Sequence, residues 1–183
     1  RTSEAQRRQM TTVHSPNVQN IAIEGDFDAC QDIVKELFAD GEFRESVNLS
    51  AVNSINWARV MAQIVYYVYA AVRLGAPDRE IAFSIPTGNF GNVFAAYAAH
   101  RMGLPIKHLV VGSNSNDILT RFFESDDMSI QGVQPTLSPS MDIQVSSNFE
   151  RLLFELYNRD GDAVASAMKQ FRTQGNLSVG EDR

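Results

Sequence analysis

The amino-acid sequence predicts an α/β fold in three layers (αβα), with helices on both sides of a mostly parallel sheet. Two observations carry this prediction. Short apolar runs alternate with longer stretches in which apolar residues recur every three or four positions, as strands and helices do in layered α/β proteins. One run, Leu109-Val110-Val111, is apolar without interruption, which is typical of a buried parallel strand. Short turns between the segments favour right-handed β-α-β units.

The first part of the chain predicts two helices and a strand. Residues 2–10 predict a short polar helix and residues 20–23 a strand. Gly25 then turns the chain and Asp26 can cap a second helix. The apolar positions of that helix show the 3- and 4-residue spacing of one buried face, at Phe27, Cys30, Ile33, Val34, Leu37 and Phe38. Gly41 is expected to end it.

The longest predicted helix covers residues 53–74, with Asn53 or Ser54 as its cap and Gly75 at its end. It is apolar nearly all round, which predicts a position in the centre of the fold or between layers. Residues 81–85 and 106–111 predict two further strands, which we expect to share one sheet with residues 20–23. The remaining helices are predicted at residues 92–102, 116–123, 144–157 and 162–174, with a polar loop before the third of them.

Composition excludes several classes of function. The chain has 183 residues and a net charge of −6, which disfavours binding to nucleic acid or to an anionic membrane. Its longest apolar stretch, residues 60–72, is shorter than the roughly 20 residues that span a bilayer. The single cysteine, Cys30, precludes an internal disulfide and fits a reducing, cytoplasmic compartment. His14, His100 and His108 are scattered without a ligand pattern, so no metal site is predicted.

The stretch "SIPTGNFGN", residues 84–92, lies between a predicted strand and a predicted helix. In open α/β sheets, ligands bind at this end of the strands, and the first turn of a helix has N–H groups without internal partners. Because Gly88 and Gly91 lack Cβ atoms, the backbone can adopt left-handed angles there and approach a ligand closely. Thr87, Asn89 and Asn92 can add side-chain hydrogen bonds.

The expected ligand of this loop is a phosphate monoester or a similar anion. The spacing matches neither the nucleoside-triphosphatase loop nor the dinucleotide fingerprint G-x-G-x-x-G. The alternative is a tight strand-to-helix turn with an asparagine cap and no ligand. The residue pattern alone leaves both interpretations open.

Two other segments carry candidate site residues. Asn53, Asn56 and Arg59 share one face at the start of the long helix, and the guanidinium of Arg59 has the chemistry to hold a substrate phosphate or carboxylate. A cap and a surface ion pair are the alternative. The polar side chains around the start of the helix near residue 144 fit either a cleft or a cap, namely Ser138, Ser140, Asp142 and Asn148.

The loop "SIPTGNFGN" resembles the phosphate-binding loop of the threonine synthases, pyridoxal-phosphate enzymes that share their fold type with the tryptophan synthase β chain. The resemblance runs in order from about residue 3 to residue 157, through "RRQMTTV", "GDFDACQDIVK", "VNSINWARVMAQIVYY", "NSNDILTRFFES" and "TLSPSMDIQVSSNFERLLFE". It implies conversion of O-phosphohomoserine and water to threonine and phosphate, with pyridoxal 5′-phosphate as the electron sink. It also implies that residues Gly88, Asn89, Phe90, Gly91 and Asn92 grip the cofactor phosphate, with Ser84, Thr87, Asn56 and Arg59 as further contacts to cofactor or substrate.

The lysines depart from the family pattern. The Schiff-base lysine of the family lies in a Phe-Lys-Asp type motif, and none of Lys35, Lys107 and Lys169 has that context. The resemblance therefore implies a single central α/β fragment over residues 1–183, covering the cofactor-phosphate part and the inner small domain, without the catalytic lysine and inactive alone. The alternatives are another lyase of this fold, such as threonine dehydratase or cysteine synthase, and a noncatalytic anion-binding domain.

Overall fold

The computed structural model describes residues 3–25 and 27–179, and it leaves the side chains of residues 27 and 28 undescribed. The predicted cap Asp26 lies outside these residues, as does Thr2. Contacts divide the chain into two compact units, Arg1–Leu49 and Ser50–Arg183. That residues 1–183 form a single fragment stays a prediction.

The regular elements in the described part of the first unit are helices. Helix α1 (Glu4–Met10) begins at Ser3, whose side chain accepts a hydrogen bond from the Gln6 amide. Helix α2 (Phe27–Ala39) confirms the predicted helix, although Ile33 and Leu37 of its predicted buried face are 41% and 39% exposed. Helix α3 (Gly41–Ser46) follows it directly. Gly41 is therefore the first residue of α3 and not the end of α2. Asp40 causes this change, because its side chain accepts from the Phe43 amide at 3.0 Å and so caps a new helix.

The predicted strand at residues 20–23 is wrong. This segment has no strand partner in the described part of the chain, and Ile21 and Ile23 are 79% and 42% exposed. A strand requires a ladder of hydrogen bonds to a neighbour, and two isoleucines do not supply one.

The second unit carries a parallel sheet of two strands, β1 (Ile81–Pro86) and β2 (Ile106–Gly112), within the described residues. The pairing runs from Ile81 opposite Ile106 to Pro86 opposite Gly112. Helix α5 (Gly91–Arg101) connects the strands, as the β-α-β prediction requires. The structure is thus an α/β fold with a parallel sheet. One face of β1 is exposed, at Ala82, Ser84 and Pro86.

Helix α4 (Trp57–Arg73) packs against α5 with one face only. Val60, Ile64, Tyr67 and Ala71 are buried, and the ring of Tyr67 meets the ring of Phe83 on β1 edge-on at 4.9 Å. The opposite face is apolar and exposed, at Met61, Val65, Tyr66, Tyr69 and Val72. Asn56, and not Asn53 or Ser54, is the cap, since its side chain accepts from the Ala58 amide at 3.0 Å.

Three helices complete the second unit: α6 (Ile118–Ser125), α7 (Phe149–Leu156) and α8 (Gly161–Gln174). The helix predicted from residue 144 begins at Phe149 instead, because residues 143–148 form an irregular segment whose polar groups bind neighbouring loops. Aromatic rings of Phe90, Phe122 and Phe149 meet edge-on in the core at 4.7–5.4 Å. No helix in the described ranges is long and apolar enough to cross a membrane.

Candidate functional site: an amide-lined loop

The glycine-containing loop lies where β1 ends and α5 begins. The Thr87 amide still donates to the Gly112 carbonyl at 2.9 Å, which extends the pairing with β2 by one bond. The chain then leaves the sheet and enters α5 at Gly91. The loop therefore sits at the carboxyl edge of the parallel strands, which is the edge where open α/β sheets bind ligands.

The backbone N–H groups of this loop have no partner within the described residues. From residue 88 to residue 93, no amide donates a hydrogen bond there, and the pattern of α5 resumes at Phe94, whose amide donates to the Phe90 carbonyl at 2.9 Å. Phe90 occupies the N-cap position without a side-chain cap bond, so the asparagine cap of the alternative interpretation does not occur. A continuous run of unpaired donors at a helix N-terminus is the arrangement that binds an anion.

The carbonyl groups of the same loop are paired. The Ser146 hydroxyl donates to the Gly88 carbonyl at 2.8 Å, and the Asn148 amide donates to the Asn89 carbonyl at 3.1 Å. Ser146 and Asn148 are each 2% exposed. The Gly88 and Asn89 carbonyls are thus paired within the protein, whereas the loop amides remain available as donors.

Phe90 carries the left-handed backbone angle that the sequence analysis assigned to the glycines. Its φ is 62°, whereas neither Gly88 nor Gly91 has a positive φ. A left-handed angle costs a non-glycine residue about 1–2 kcal/mol. Burial of its ring, which is 2% exposed and edge-on to Phe149 at 5.4 Å, offsets this cost. Backbone strain held by a packed side chain is common at ligand sites.

The two glycines are required by close approach. A Cβ atom on Gly88 would lie 3.1 Å from the Met141 Cα, and one on Gly91 would lie 3.0 Å from the Ser54 Cβ. A side chain at either position would make a tighter contact than most Cβ atoms do and would require the neighbouring atoms to move. Glycine therefore lets the loop lie against its supports while the amides stay uncovered.

The predicted side-chain donors are placed differently from one another. The Tyr67 hydroxyl donates to the Asn92 Oδ1 at 2.7 Å, so the NH₂ group of Asn92 remains a donor. Burial raises the pKa of Tyr67 to about 12, which keeps this hydroxyl protonated. The Asn89 Oδ1 accepts from Ser147 at 3.3 Å, and Thr87 is 7% exposed. Ser84 is exposed on β1.

Behind Gly91 lies an anchor that the sequence analysis assigned only in part. The Asn148 Nδ2 donates to the Ser54 Oγ at 2.7 Å, and the Arg151 Nε donates to the Asn148 Oδ1 at 2.9 Å. The Arg151 guanidinium also donates to the Ser54 carbonyl at 3.3 Å and lies over the Trp57 ring at 5.5 Å. Burial lowers the pKa of Arg151. Asn148 was predicted as a cleft or cap residue, but no sequence pattern pairs it with Ser54.

The other candidates are also placed. The Asn56 side chain is occupied as the cap of α4, and its Nδ2 donates to the Ala51 carbonyl at 2.9 Å. The Arg59 residue is exposed, and its guanidinium forms no hydrogen bond or ion pair within the described residues. The Asp142 carboxylate accepts from Thr136, Asn114 and Asn116.

Two of the lysines, Lys107 and Lys169, lie in the second unit. Lys107 stands near the start of β2, at the opposite end of the sheet, 59% exposed and 3.9 Å from the Glu80 carboxylate. Lys169 is exposed on α8. Lys35 is on α2 in the first unit. Among the described residues, no group of three or more His, Cys, Asp and Glu side chains is placed to hold a metal ion.

These features define an α/β protein with an anion-binding loop at the carboxyl edge of a parallel sheet. The chain belongs to the family described as "Pyridoxal-phosphate dependent enzyme", which it matches over residues 1–175. Within this family the chain is similar to threonine synthases. It is 58% identical over 183 residues to that of Pseudomonas aeruginosa, covering all of this chain and 39% of the relative. It is 44% identical over 191 residues to that of Saccharomyces cerevisiae, covering 98% of this chain and 37% of the relative.

Solved structures agree with this assignment. The crystal structure of PLP-bound threonine synthase from Brucella melitensis matches with a TM-score of 0.84 and 54% identity, over 98% of this chain and 39% of that one. The threonine synthase from yeast matches with a TM-score of 0.78 and 44% identity, over 98% of this chain and 37% of that one. The chain therefore spans 37–39% of the length of these relatives.

Proposed function

We propose that this chain is the cofactor-phosphate-binding part of a threonine synthase, which converts O-phosphohomoserine and water to threonine and phosphate. The observation that carries the proposal is the run of unpartnered amides at residues 88–93, at the carboxyl edge of the sheet. The similarity to threonine synthases supports the choice of reaction. A cytoplasmic location stays a prediction.

The residues of the loop fit the 5′-phosphate of pyridoxal phosphate. Six consecutive amides, residues 88–93, supply donors, and the N-terminus of α5 adds about half a positive charge. Gly88 and Gly91 keep the surface free of side chains, while the paired carbonyls turn no acceptor toward the guest. When bound, the pyridine ring supplies the electron sink that stabilises carbanions.

The contribution of this chain is to hold and orient the phosphate. Phe90 fixes the loop through its buried ring, and Asn92, held by Tyr67, presents NH₂ donors at the first turn of α5. Covalent attachment of the cofactor is not assigned to Lys107, which stands at the other end of the sheet, or to Lys169, which is exposed on α8. We assign the chain phosphate binding and not the lysine chemistry.

Arg59 is proposed to contact the substrate through its guanidinium. Arg59 is exposed and unpaired in the described part of the chain, so its guanidinium is free to take the substrate phosphate or carboxylate. Asn56 acts indirectly, by capping the helix that carries Arg59. If this assignment is right, Arg59→Ala in a full-length threonine synthase that carries this chain raises KM for O-phosphohomoserine and leaves the affinity for pyridoxal phosphate unchanged. Equal KM values would refute it.

The proposal is tested in a graft enzyme, which we define as Pseudomonas aeruginosa threonine synthase with its matching stretch replaced by this chain. Because the two are 58% identical over all 183 residues, the graft is expected to fold, to bind pyridoxal phosphate and to release phosphate from O-phosphohomoserine. The substrates of threonine dehydratase and of cysteine synthase serve as controls for the alternative lyases. A graft that fails to fold, or one that turns over a control substrate in preference, contradicts the proposal.

A further inference from the structure

We propose that Ser146 is a positioning residue for the phosphate loop, which sets the direction in which the amide of Asn89 points. This inference deepens the proposed function and rests on it. Ser146 is 2% exposed, and its hydroxyl donates to the Gly88 carbonyl at 2.8 Å across 58 positions of sequence. It does not belong to the loop that receives the phosphate.

The geometry of one peptide unit links the Ser146 hydroxyl to the direction of the Asn89 amide. The Gly88 carbonyl and the Asn89 N–H belong to the same planar trans peptide, so they point in opposite directions. A hydroxyl that holds the carbonyl on the side of Ser146 therefore directs the N–H to the opposite side. The Asn89 amide has no partner within the described residues, as a donor reserved for an external acceptor requires.

The next peptide unit is held in the same way. The Asn148 amide donates to the Asn89 carbonyl at 3.1 Å, which turns the Phe90 N–H in the opposite direction. Ser146 and Asn148 thus brace two successive peptides from the same segment. The Asn148 hydrogen bond is donated by a backbone amide, which a substitution does not remove. The Ser146 hydrogen bond is donated by a side chain and can be removed by substitution.

Removal of the hydroxyl would act on the orientation of the peptide. Gly88 has no Cβ, so the peptide between Gly88 and Asn89 rotates more easily than one between two substituted residues. A carbonyl that loses its buried donor gains by turning toward solvent. Such a rotation would present a carbonyl oxygen, and no longer an N–H, to the phosphate. Removal of the hydroxyl should therefore lower the affinity for the phosphate more than it lowers the stability of the fold.

The segment that carries Ser146 is itself fixed to the second unit. The Gln144 Oε1 accepts from the Gln131 amide at 3.2 Å, and Asp142 accepts from the Thr136 amide at 2.8 Å. Asn148 is bound by Arg151 at 2.9 Å. The Ser146 hydroxyl is therefore presented to Gly88 from a support that is held on both sides.

The test compares two substitutions in the graft enzyme that separate the hydroxyl from the packing. Ser146→Ala removes the donor and adds no atoms, whereas Ser146→Thr keeps the donor and adds a methyl group at a buried position. Thr120→Val is the matched control, since it removes the hydroxyl bond from Thr120 to the Ser113 Oγ, at 3.0 Å, and keeps the shape. For each protein, the dissociation constants of pyridoxal phosphate and of pyridoxal, which lacks the phosphate, are measured together with Tm.

We expect Ser146→Ala to weaken binding of pyridoxal phosphate by about tenfold, the effect of about 1.4 kcal/mol from one misdirected charged hydrogen bond. Binding of pyridoxal should change little, so the preference for the phosphorylated form falls. Ser146→Thr should keep that preference even where Tm falls, and Thr120→Val should keep it as well.

Two results would overturn the inference in different ways. If the unmodified graft prefers pyridoxal phosphate but Ser146→Ala keeps the full preference, or Ser146→Thr loses as much as Ser146→Ala, Ser146 is structural only. If the unmodified graft binds both forms equally, the loop does not hold the phosphate, and the proposed function fails together with the inference.

Discussion

The loops that follow β1 and β2 leave the same edge of the sheet and are similarly polar, but they use their polar groups in opposite ways. After β1, the loop contains Asn89 and Asn92, and its backbone amides have no partner within the described residues. After β2, the loop contains Asn114 and Asn116, whose NH₂ groups donate to the Asp142 Oδ1 at 2.7 and 3.1 Å.

The difference shows what distinguishes a binding loop from a structural one. The second loop has its own carboxylate: Asp142 accepts further bonds from the Thr136 amide at 2.8 Å and hydroxyl at 2.6 Å. The first loop has donors and no internal anion. In this protein, the asparagine-rich loop whose donors outnumber its acceptors is the candidate ligand site, and the one balanced by the half-buried carboxylate of Asp142 is a structural cluster.

The largest expected effect comes from giving the first loop an anion of its own. In the graft enzyme, Gly91→Asp places a carboxylate beside the amides and a Cβ 3.0 Å from the Ser54 Cβ. Repulsion between unit charges about 4 Å apart near a protein surface is about 4 kcal/mol, so affinity for pyridoxal phosphate should fall by about 1,000-fold or more. Equilibrium titration measures this.

The matched control is Gly132→Asp, which adds the same charge where a Cβ would meet nothing within 4 Å. It should leave the affinity for pyridoxal phosphate unchanged. If Gly91→Asp binds the cofactor as tightly as Gly132→Asp, the first loop is not the phosphate site.

A second test removes the anion from the second loop. Asp142→Asn should lower the free energy of unfolding by about 2–3 kcal/mol, because an NH₂ group would face the Thr136 amide and leave buried donors unpaired. The preference for pyridoxal phosphate over pyridoxal should survive in the folded fraction. Denaturant unfolding and cofactor titration give the two quantities.

The same substitution predicts a change in acid stability. Burial raises the pKa of Asp142, but hydrogen bonds from Thr136 and Asn114 outweigh it, and the pKa lies below its usual value. A lowered pKa in the folded state adds stability above the unfolded pKa, about 3.9, and this stability is lost as pH falls through the folded pKa. Unfolding free energy should therefore decline less steeply below pH 4 in Asp142→Asn than in the unmodified protein. Identical slopes would show that Asp142 is unpaired in solution.

The smallest expected effect concerns the side chain at the first turn of α5. Tyr67→Phe removes the hydroxyl that bonds the Asn92 Oδ1 at 2.7 Å, so the Asn92 amide loses its fixed orientation. Loss of a neutral hydrogen bond is worth about 1 kcal/mol, or roughly a fivefold weaker affinity for pyridoxal phosphate. The pKa of Tyr67 is raised to about 12, so its hydroxyl stays protonated between pH 7 and pH 9. The ratio of the affinity of the unmodified graft for pyridoxal phosphate to that of Tyr67→Phe should therefore stay constant over this range. A ratio that varies over this range would contradict the assignment.

Sequence patterns predicted the elements whose signals are local. The helices α2 and α5, the strands β1 and β2, and the glycine loop between β1 and α5 are all present within one to two residues of their predicted limits. The strand at residues 20–23 failed because a strand needs a partner that the local sequence does not specify. The end of α2 failed because Asp40 caps a second helix at a residue that resembled a stop.

The site was predicted only in its contiguous part. The loop amides follow from residues 88–92 being adjacent in sequence. Their supports are distant in sequence: Ser146 bonds the loop across 58 positions, and Asn148, which also bonds the loop, joins Ser54 across 94. Contacts over such separations depend on how the helices pack and have no periodic signature. Phe90 shows the same limit: its left-handed angle is compensated by the distant Phe149, so the local sequence assigned that angle to glycine.

Hydrogen exchange of the backbone amides in the graft enzyme tests the central claim most directly, since unpaired amides exchange rapidly and paired ones slowly. With pyridoxal bound, residues 88–93 should exchange fast, while the amides of Gln134 and Thr136, which donate to Asn116 and Asp142 at 2.8 Å, should exchange slowly. Replacing pyridoxal with pyridoxal phosphate should slow exchange at residues 88–93 and leave the other two unchanged. Exchange at residues 88–93 that is equally fast or equally slow with both ligands would contradict the account.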